Sequence, residues 1–262
     1  MGEVSSSSEI NQTAHRPLER TSLRQAPWWL IILGIGIVFV LLAMMRNEDY
    51  AKTLGYVLGG VGLSVVITVV AYVAALIIGL IAGLGRVSAN PIAYHVATLY
   101  VEVMRGLPML VIILYTQFVI APMIGAQRNP ALSGILALAL GYGAYLAEVY
   151  RAGIESIERG QAEAARSLGM SAGQTMRHII LPQALRRVLP PLGNDFIAML
   201  KDSSLLSAIG VNELTQLARI EGSRTFDYFR AFNSAAILYL ILTLLLSLGV
   251  RLLERRTSSG RR

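Results

Sequence analysis

Glu102, Arg105, Lys201 and Asp202, with Ser203 and Ser204 following, lie in stretches otherwise made of Leu, Ile, Val, Ala and Met. An ionisable group at bilayer depth is costly and is kept where it faces protein or a water-filled passage, so these six residues are candidates for lining a path for a polar solute. A buried Lys–Asp or Lys–Glu ion pair holding helices together accounts equally well for Lys201 and Asp202. Glu102 and Arg105 are one helical turn apart and could pair with each other or with Lys201. Glu148 and Arg151, also a turn apart, fall near the end of an apolar stretch, where a snorkelling structural salt bridge is the expected role.

Other chemistry is thinly represented. With no cysteine there is no disulfide, thiolate metal site or cysteine nucleophile. His15, His95 and His178 are too scattered to suggest a metal site. Gly169-Met170-Ser171-Ala172-Gly173 matches the Gly-x-Ser-x-Gly elbow of serine hydrolases, but the only histidine after Ser171 is His178, and the elbow needs a strand before it and an acid then a histidine after it. The two lysines, Lys52 and Lys201, follow Ala and Leu, so neither is the lysine of a phosphate-binding Gly-Lys-Ser/Thr loop. If ATP drives this protein, a different chain binds it.

The elements that must position these groups follow from hydropathy. The chain has 262 residues, 54% hydrophobic and 15% charged, and its long uncharged runs exclude a soluble enzyme. Residues 1–26 read as a polar, disordered cytoplasmic tail, and 27–53 as a retained first span (Trp28 to Met45, with an interfacial Trp pair) and a polar loop from Arg46 to Lys52. Span two covers Leu54 to Leu84 and carries Gly55-x-x-x-Gly59 and Gly79-x-x-x-Gly83, spacings that let helix backbones approach closely. Span three, Ile92 to Ile124, is expected to be broken by Gly106 and Pro108. Span four runs from Ala131 to Glu148. Span five runs from Val188 to about Val211, starting at Pro190-Pro191, and span six from Ala231 to Val250; residues 257–262 form a basic tail.

The fold class expected is therefore an all-α integral membrane protein with six transmembrane helices. With both termini inside, cytoplasmic segments hold fifteen Lys/Arg and outside loops six, with Arg105 and Lys201 in spans. Topology accounts for the net charge of +7, and nothing remains that calls for nucleic acid.

Residues 151–187 are too charged to cross a bilayer and form a cytoplasmic insertion. Within it, Glu163 to Leu168 reads as a short helix with small alanines that another protein could approach, Gly169 ends it, and a second amphipathic helix from about Ala172 to Ile180 stops at Pro182. Glu163 either caps its own helix, the preferred reading, or pairs with a basic group on a partner.

Glu163-Ala164-Ala165-x-x-x-Gly169, nine residues, then Ile179-x-Leu181-Pro182 resembles the Glu-Ala-Ala loop of the permease subunits of bacterial ABC importers. Glu102-x-x-Arg105-Gly106-x-Pro108, Tyr145-x-x-Glu148-x-x-Arg151, Leu189-Pro190-x-x-Gly193-Asn194 and Lys201-Asp202-Ser203-Ser204 are similar to the polar amino acid uptake subfamily, from span two to the C-terminus. The resemblance implies a five-span permease core, residues 54–256, preceded by an extra span. It implies an ABC ATP-binding subunit that holds ATP and Mg, this chain binding no cofactor itself, and a second permease subunit, the same chain or another. It further implies an extracytoplasmic solute-binding protein, an amino acid substrate, a multi-pass place in the bacterial inner membrane, and movement by alternating access. Glu163, Ala164, Ala165, Gly169, Leu181 and Pro182 would then couple to the ATPase. A zwitterion suits a passage with Lys201 or Arg105 beside Asp202 or Glu102. The competing reading is an ion-coupled secondary carrier or channel acting through Glu102, Asp202 and Lys201, which would have no use for a rigid cytoplasmic lever.

Overall fold

The computed structural model describes residues 28–258, all helical apart from connecting turns. The tail expected over residues 1–26 and residues 259–262 lie outside the described residues. The chain divides into two compact units, residues 1–43 and 44–262. The described part of the first belongs to α1 (Trp28–Arg46), apolar along its length and ending on Arg46.

In the second unit α2 (Glu48–Leu58) begins where a loop was expected. Asn47 caps it, its side-chain oxygen accepting from the amides of Asp49 and Tyr50 at 3.0 and 3.1 Å, and the acidic pair Glu48 and Asp49 occupies the first turn, where the helix dipole favours them. A turn at Gly59-Gly60 leads into α3 (Val61–Arg86). The two together make a 39-residue apolar stretch, Glu48–Arg86. Next come α4 (Pro91–Gly106), α5 (Met109–Tyr115), a π-helical turn at Thr116–Ile120, and α6 (Ala121–Met123). The break expected at Gly106 and Pro108 is present: the two halves meet at 105°, because Pro108 lacks an N–H and pushes Leu107 into extended backbone.

α7 (Pro130–Glu155) is the central helix. Its packing on α3 is the most extensive in the molecule and depends on missing side chains: a Cβ at Gly79 would lie 2.7 Å from Leu146 Cβ, and one at Gly83 2.9 Å from the Ala147 oxygen. The Gly79-x-x-x-Gly83 spacing is thus a true contact seam. A Cβ at Gly55 would meet nothing within 4 Å, so the first Gly-x-x-x-Gly spacing makes no such seam.

Two short helices, α8 (Arg159–Ser167) and α9 (Ala172–Thr175), lead through a second π turn at Met176–Ile180 into α10 (Leu181–Asp202). Two expectations from sequence fail here. The helix does not stop at Pro182, and the helix that carries the expected fifth span does not begin at Pro190-Pro191. Leu181 N–H bonds to the Met176 oxygen across the wider turn, and the chain passes the amide-less Pro182 without ending the helix. The same arrangement recurs where Ala121 bonds to Thr116 just before Pro122. The Gln183 side chain donates to the Ile179 oxygen at 2.9 Å, and Pro190 and Pro191 lie inside the helix.

After α10 a 3-10 segment, Ser203–Ile209, ends at Gly210 in the left-handed region, followed by α11 (Leu214–Thr225) and α12 (Tyr228–Ser258). The tail expected from residue 257 starts inside α12. Among the described residues three stretches are long and apolar enough to cross a bilayer, Glu48–Arg86, Pro130–Glu155 and Tyr228–Leu252, and four if the bent pair is one span. α10 is not among them because Arg186, Arg187, Asn194, Asp195, Lys201 and Asp202 punctuate it.

Candidate functional site

The sequence-selected polar residues separate into two groups, one near each other at an end of the bundle and one at its centre. At the end, Arg86, the last residue of α3, reaches the Glu148 carboxylate at 2.7 Å and Glu102 at 3.5 Å. Arg151 also holds Glu148 with both ends of its guanidinium and pairs with Glu155. Arg105 is 3.8 Å from Glu148 and lies over the Tyr145 ring, 5.8 Å from its centroid. Three arginines and three carboxylates from α3, α4 and α7 thus neutralise one another. The pairing expected between Glu148 and Arg151 is present, and Arg86, which counting residues along a turn had left aside, is its most enclosed member, with 12% of its side chain exposed. Glu102 and Arg105 meet this network and not Lys201.

At the centre, Tyr142 donates its hydroxyl to Asp202 at 2.8 Å. Tyr142 lies midway along α7, so Asp202 and its neighbours are at mid-height in the bundle. Ser203 is buried, its hydroxyl bonded to the Leu200 oxygen at 2.8 Å. Lys201 points elsewhere. It is exposed and borders a cleft of about 440 Å3 with Ser204, Thr215, Phe232, Ala235, Ala236 and Tyr239. It has no carboxylate within ion-pair distance among the described residues, so the Lys201–Asp202 pair considered from sequence does not form within this chain.

Behind that cleft stands Glu213, 0% exposed. Its carboxylate caps α11 by accepting from the amides of Thr215 and Gln216 at 2.9 and 2.8 Å, and accepts the Tyr239 hydroxyl at 2.6 Å. Ser64 accepts from the Leu214 amide at 3.2 Å, and a Cβ on Gly60 would lie 2.7 Å from Leu214 N, so the start of α11 is fixed against α3. Glu213 escaped the sequence reading because it follows Asn212 in what looked like an outside loop; the signal was an acidic residue ahead of an amphipathic run, the N-cap pattern. Glu221, on the same helix, is buried and held by Arg224 through two bonds of 2.9 Å, an ion pair that keeps the Arg224 guanidinium above its ordinary range.

The hairpin of α8 and α9 lies between α7 and α10. α8 starts at Arg159, earlier than expected, which puts Glu163 in mid-helix, exposed and away from the N-terminus. The capping role preferred for Glu163 is therefore excluded. Ala164 is exposed while Ala165 is buried, so only one of the two alanines is offered outward. Gly169 closes the helix at φ +83°, with its amide on the Arg166 oxygen at 2.9 Å and the Met170 amide on the Ala165 oxygen at 3.1 Å, the paired bonds of a Schellman end. Leu168 beside it is 84% exposed, an apolar tip the sequence reading did not single out. Ser171 caps α9 in a reciprocal box with Gln174, the amide of each residue bonded to the side chain of the other at 2.9 and 3.3 Å, so the Gly-x-Ser-x-Gly match is a helix start. Beneath the hairpin, Ile157, Ile180 and Ala184 form a small core with Ile154, Ala162, Met176 and Ile179 against it. Leu181 is half-buried and Pro182 exposed at the head of α10.

A bundle of long apolar helices with a short helical hairpin between two of them and polar groups at its centre is the build of a transport subunit, and the chain belongs to the family described as binding-protein-dependent transport system inner membrane component, which matches residues 75–259. It is similar to a probable amino-acid ABC transporter permease, YckA of Bacillus subtilis (strain 168), 40% identical over 78% of this chain and 90% of that one. It is equally similar, at 40%, to the glutamine transport system permease GlnP of Escherichia coli (strain K12), over 67% of this chain and 80% of that one. Among solved structures, a chain of an amino acid ABC transporter with histidines superposes at a TM-score of 0.74 with 38% identity, covering 79% of this chain and 97% of that chain.

Proposed function

We propose that this chain is the permease subunit of an ATP-driven importer that carries polar amino acids into the cytoplasm by alternating access. The single observation that carries the reading is the α8–α9 hairpin: a Gly169-terminated helix end presenting Glu163, Ala164 and Leu168, seated on its own small core between two long helices. A displacement of that hairpin is passed to α7 and α10 because Ile154 of α7 packs against the same core to which Ala184 of α10 belongs. The ATPase, which holds ATP and Mg, grips this hairpin. A second permease subunit completes the passage, and a solute-binding protein delivers the amino acid from outside.

In this reading six spans cross the inner membrane with both termini cytoplasmic, α1 being the extra one, α4 to α6 one broken span, and α10 a span whose polar side chains face protein or water. Residues 54–256 are the permease core. Glu163, Ala164, Ala165, Gly169, Leu181 and Pro182 form the coupling element: Ala165, Leu181 and Pro182 shape it, and Glu163 and Ala164 touch the partner. Of the pathway residues, Lys201 and Ser204 border the cleft, Asp202 and Ser203 adjoin them, and Glu102 and Arg105 belong to the separate Arg86 network.

The test is photocrosslinking from position 168 in membranes where the chain is expressed with its neighbouring genes. A nucleotide hydrolase is the expected capture; products that never contain one, from position 168 or from 164, would remove the coupling element.

A further inference from the structure

Arg187 is an exposed cation in the first turns of α10, where α7, α10 and the hairpin meet. Its Nη1 donates to the backbone oxygen of Ser156, the residue that closes α7. Its charge is not answered: no carboxylate lies within ion-pair distance of Arg187 among the described residues, and Glu155, next to Ser156, pairs with Arg151 instead. Arg187 borders a cleft of about 320 Å3 that follows the α7–α10 seam, lined by Val149, Ala152 and Ser156 on one side and by Val188 and Pro191 on the other. Ala152 and Ser156 are exposed, so the cleft is open, and its floor is shut because Gly153, lacking a Cβ, takes Val188 against its backbone. The cleft has a direction. Ser156 and Arg187 form its polar end, beside the hairpin, and Val149 and Pro191 its apolar end, about one to two helical turns nearer the level of the Tyr142–Asp202 bond at the middle of the bundle. A bilayer has the same order, charged headgroups at its surface and acyl chains beneath.

We infer that this cleft is a site for an acidic phospholipid of the inner leaflet, with the phosphate on Arg187 and one acyl chain along Val149, Ala152 and Pro191. The inference goes beyond the importer reading and takes from it only that the hairpin side of the bundle faces the cytoplasm. A guanidinium matches phosphate oxygens with paired N–H donors, and a basic pocket between membrane helices selects anionic headgroups. A zwitterionic lipid brings its own cation to a place that already holds Arg187, with the exposed Arg186 next to it in the chain. Ala184, one turn before Val188, belongs to the core beneath the hairpin, so the lipid rests where the hairpin joins the two long helices.

The experiment uses the intact permease–ATPase assembly in phosphatidylcholine nanodiscs containing a small fraction of phosphatidylglycerol with a diazirine on its acyl chain. After irradiation, peptides covering residues 149–156 and 187–191 should carry at least fivefold more label than with a phosphatidylcholine probe bearing the same diazirine. Unlabelled phosphatidylglycerol should displace the probe, and inorganic phosphate and glycerol 3-phosphate should not. Arg187→Gln, and Ala152→Trp, which fills the groove and keeps the cation, should each cut labelling at least fivefold. Arg187→Lys should keep most of it, and Arg128→Gln, at the opposite end of α7, should leave it unchanged. Equal labelling by the two probes would make the seam an ordinary lipid-facing groove, and displacement by inorganic phosphate would make it a site for a free anion. Label on neither peptide would mean that another protein chain covers the cleft, and full labelling of Ala152→Trp or Arg187→Gln would put the lipid elsewhere. Each of these overturns the inference; should Arg187→Gln fail to assemble, Ala152→Trp and the competition decide it. Amino acid uptake by the complete system, measured in parallel, separates the two readings: uptake without specific labelling sinks this inference alone, and labelling without uptake of any amino acid sinks the importer reading alone.

Discussion

The Tyr142 hydroxyl donates to the Asp202 carboxylate at 2.8 Å, joining the middle of α7 to the residue at which α10 gives way to 3-10 helix. Tyr142 is 5% exposed, so nothing else can replace the bond from that side. Tyr142→Phe keeps the packing and strips the donor from the carboxylate, which should lower stability by about 1–3 kcal/mol. Asp202→Asn, which still accepts, should cost less than Tyr142→Phe. Thermal unfolding in detergent, followed by tryptophan fluorescence or aggregation, orders the two variants; the reverse order would show that the charge of Asp202, and not the bond, is what matters.

How far this was legible follows from which residues carry their own local signal. Gly106 and Pro108 break α4 because a proline has no N–H, and that is visible in any sequence. Gly169 announces a helix end in the same way. Pro182 carried the same signal and misled, since the π turn before it lets the helix continue; that depends on hydrogen bonds outside the reach of residue-type rules. Arg86 lies between two expected spans, and its partners Glu102 and Glu148 are far along the chain, joined to it only when α3, α4 and α7 pack. Glu213 needed the opposite correction: a charged residue beside a loop reads as solvated until Tyr239 and Ser64 are known to enclose the start of α11.

The Arg86 network predicts an asymmetry between single and double variants. Glu148→Gln leaves Arg86, Arg105 and Arg151 without their shared carboxylate. Removing one member of a largely enclosed pair costs roughly 3–5 kcal/mol at full burial, and here about a third to half of that, because 27% of the Glu148 side chain is exposed. Arg86→Met with Glu148→Leu removes both charges and should be more stable than Glu148→Gln alone. A double-mutant cycle on thermal stability checks this; additive losses would mean that the two groups do not interact.

The α3–α7 seam separates the two Gly-x-x-x-Gly spacings. Gly79→Val would set its branched carbon against Leu146 Cβ, 2.7 Å away, and the Gly143 oxygen, 3.0 Å away, and neither backbone can yield. Overpacking of this kind costs about 1–3 kcal/mol or more. Gly55→Ala meets nothing and gains about 1 kcal/mol of helix propensity. Expression level and melting temperature of the two variants should move in opposite directions.

The hairpin offers a way to separate coupling from folding. Gly169 sits at φ +83° with open space where a side chain would begin, so the obstacle to substitution is conformational and not steric. Gly169→Asn, which tolerates the left-handed region, should retain transport, whereas Gly169→Val should lose the end of α8 at a cost of about 1–2 kcal/mol. Glu163→Lys leaves that geometry intact, because the side chain is exposed and makes no ion pair within this chain among the described residues. It reverses a charge only at the surface of the proposed coupling element. The assembly carrying Glu163→Lys should therefore be stable and membrane-inserted, yet show ATP hydrolysis that no longer rises with loaded binding protein, and uptake reduced at least tenfold. Gly169→Val should show the same uncoupling together with a lower melting temperature. Normal coupled uptake by both variants would mean that the force enters the bundle somewhere other than this hairpin, and normal uptake by Glu163→Lys alone would move the contact from the carboxylate to the apolar tip at Leu168.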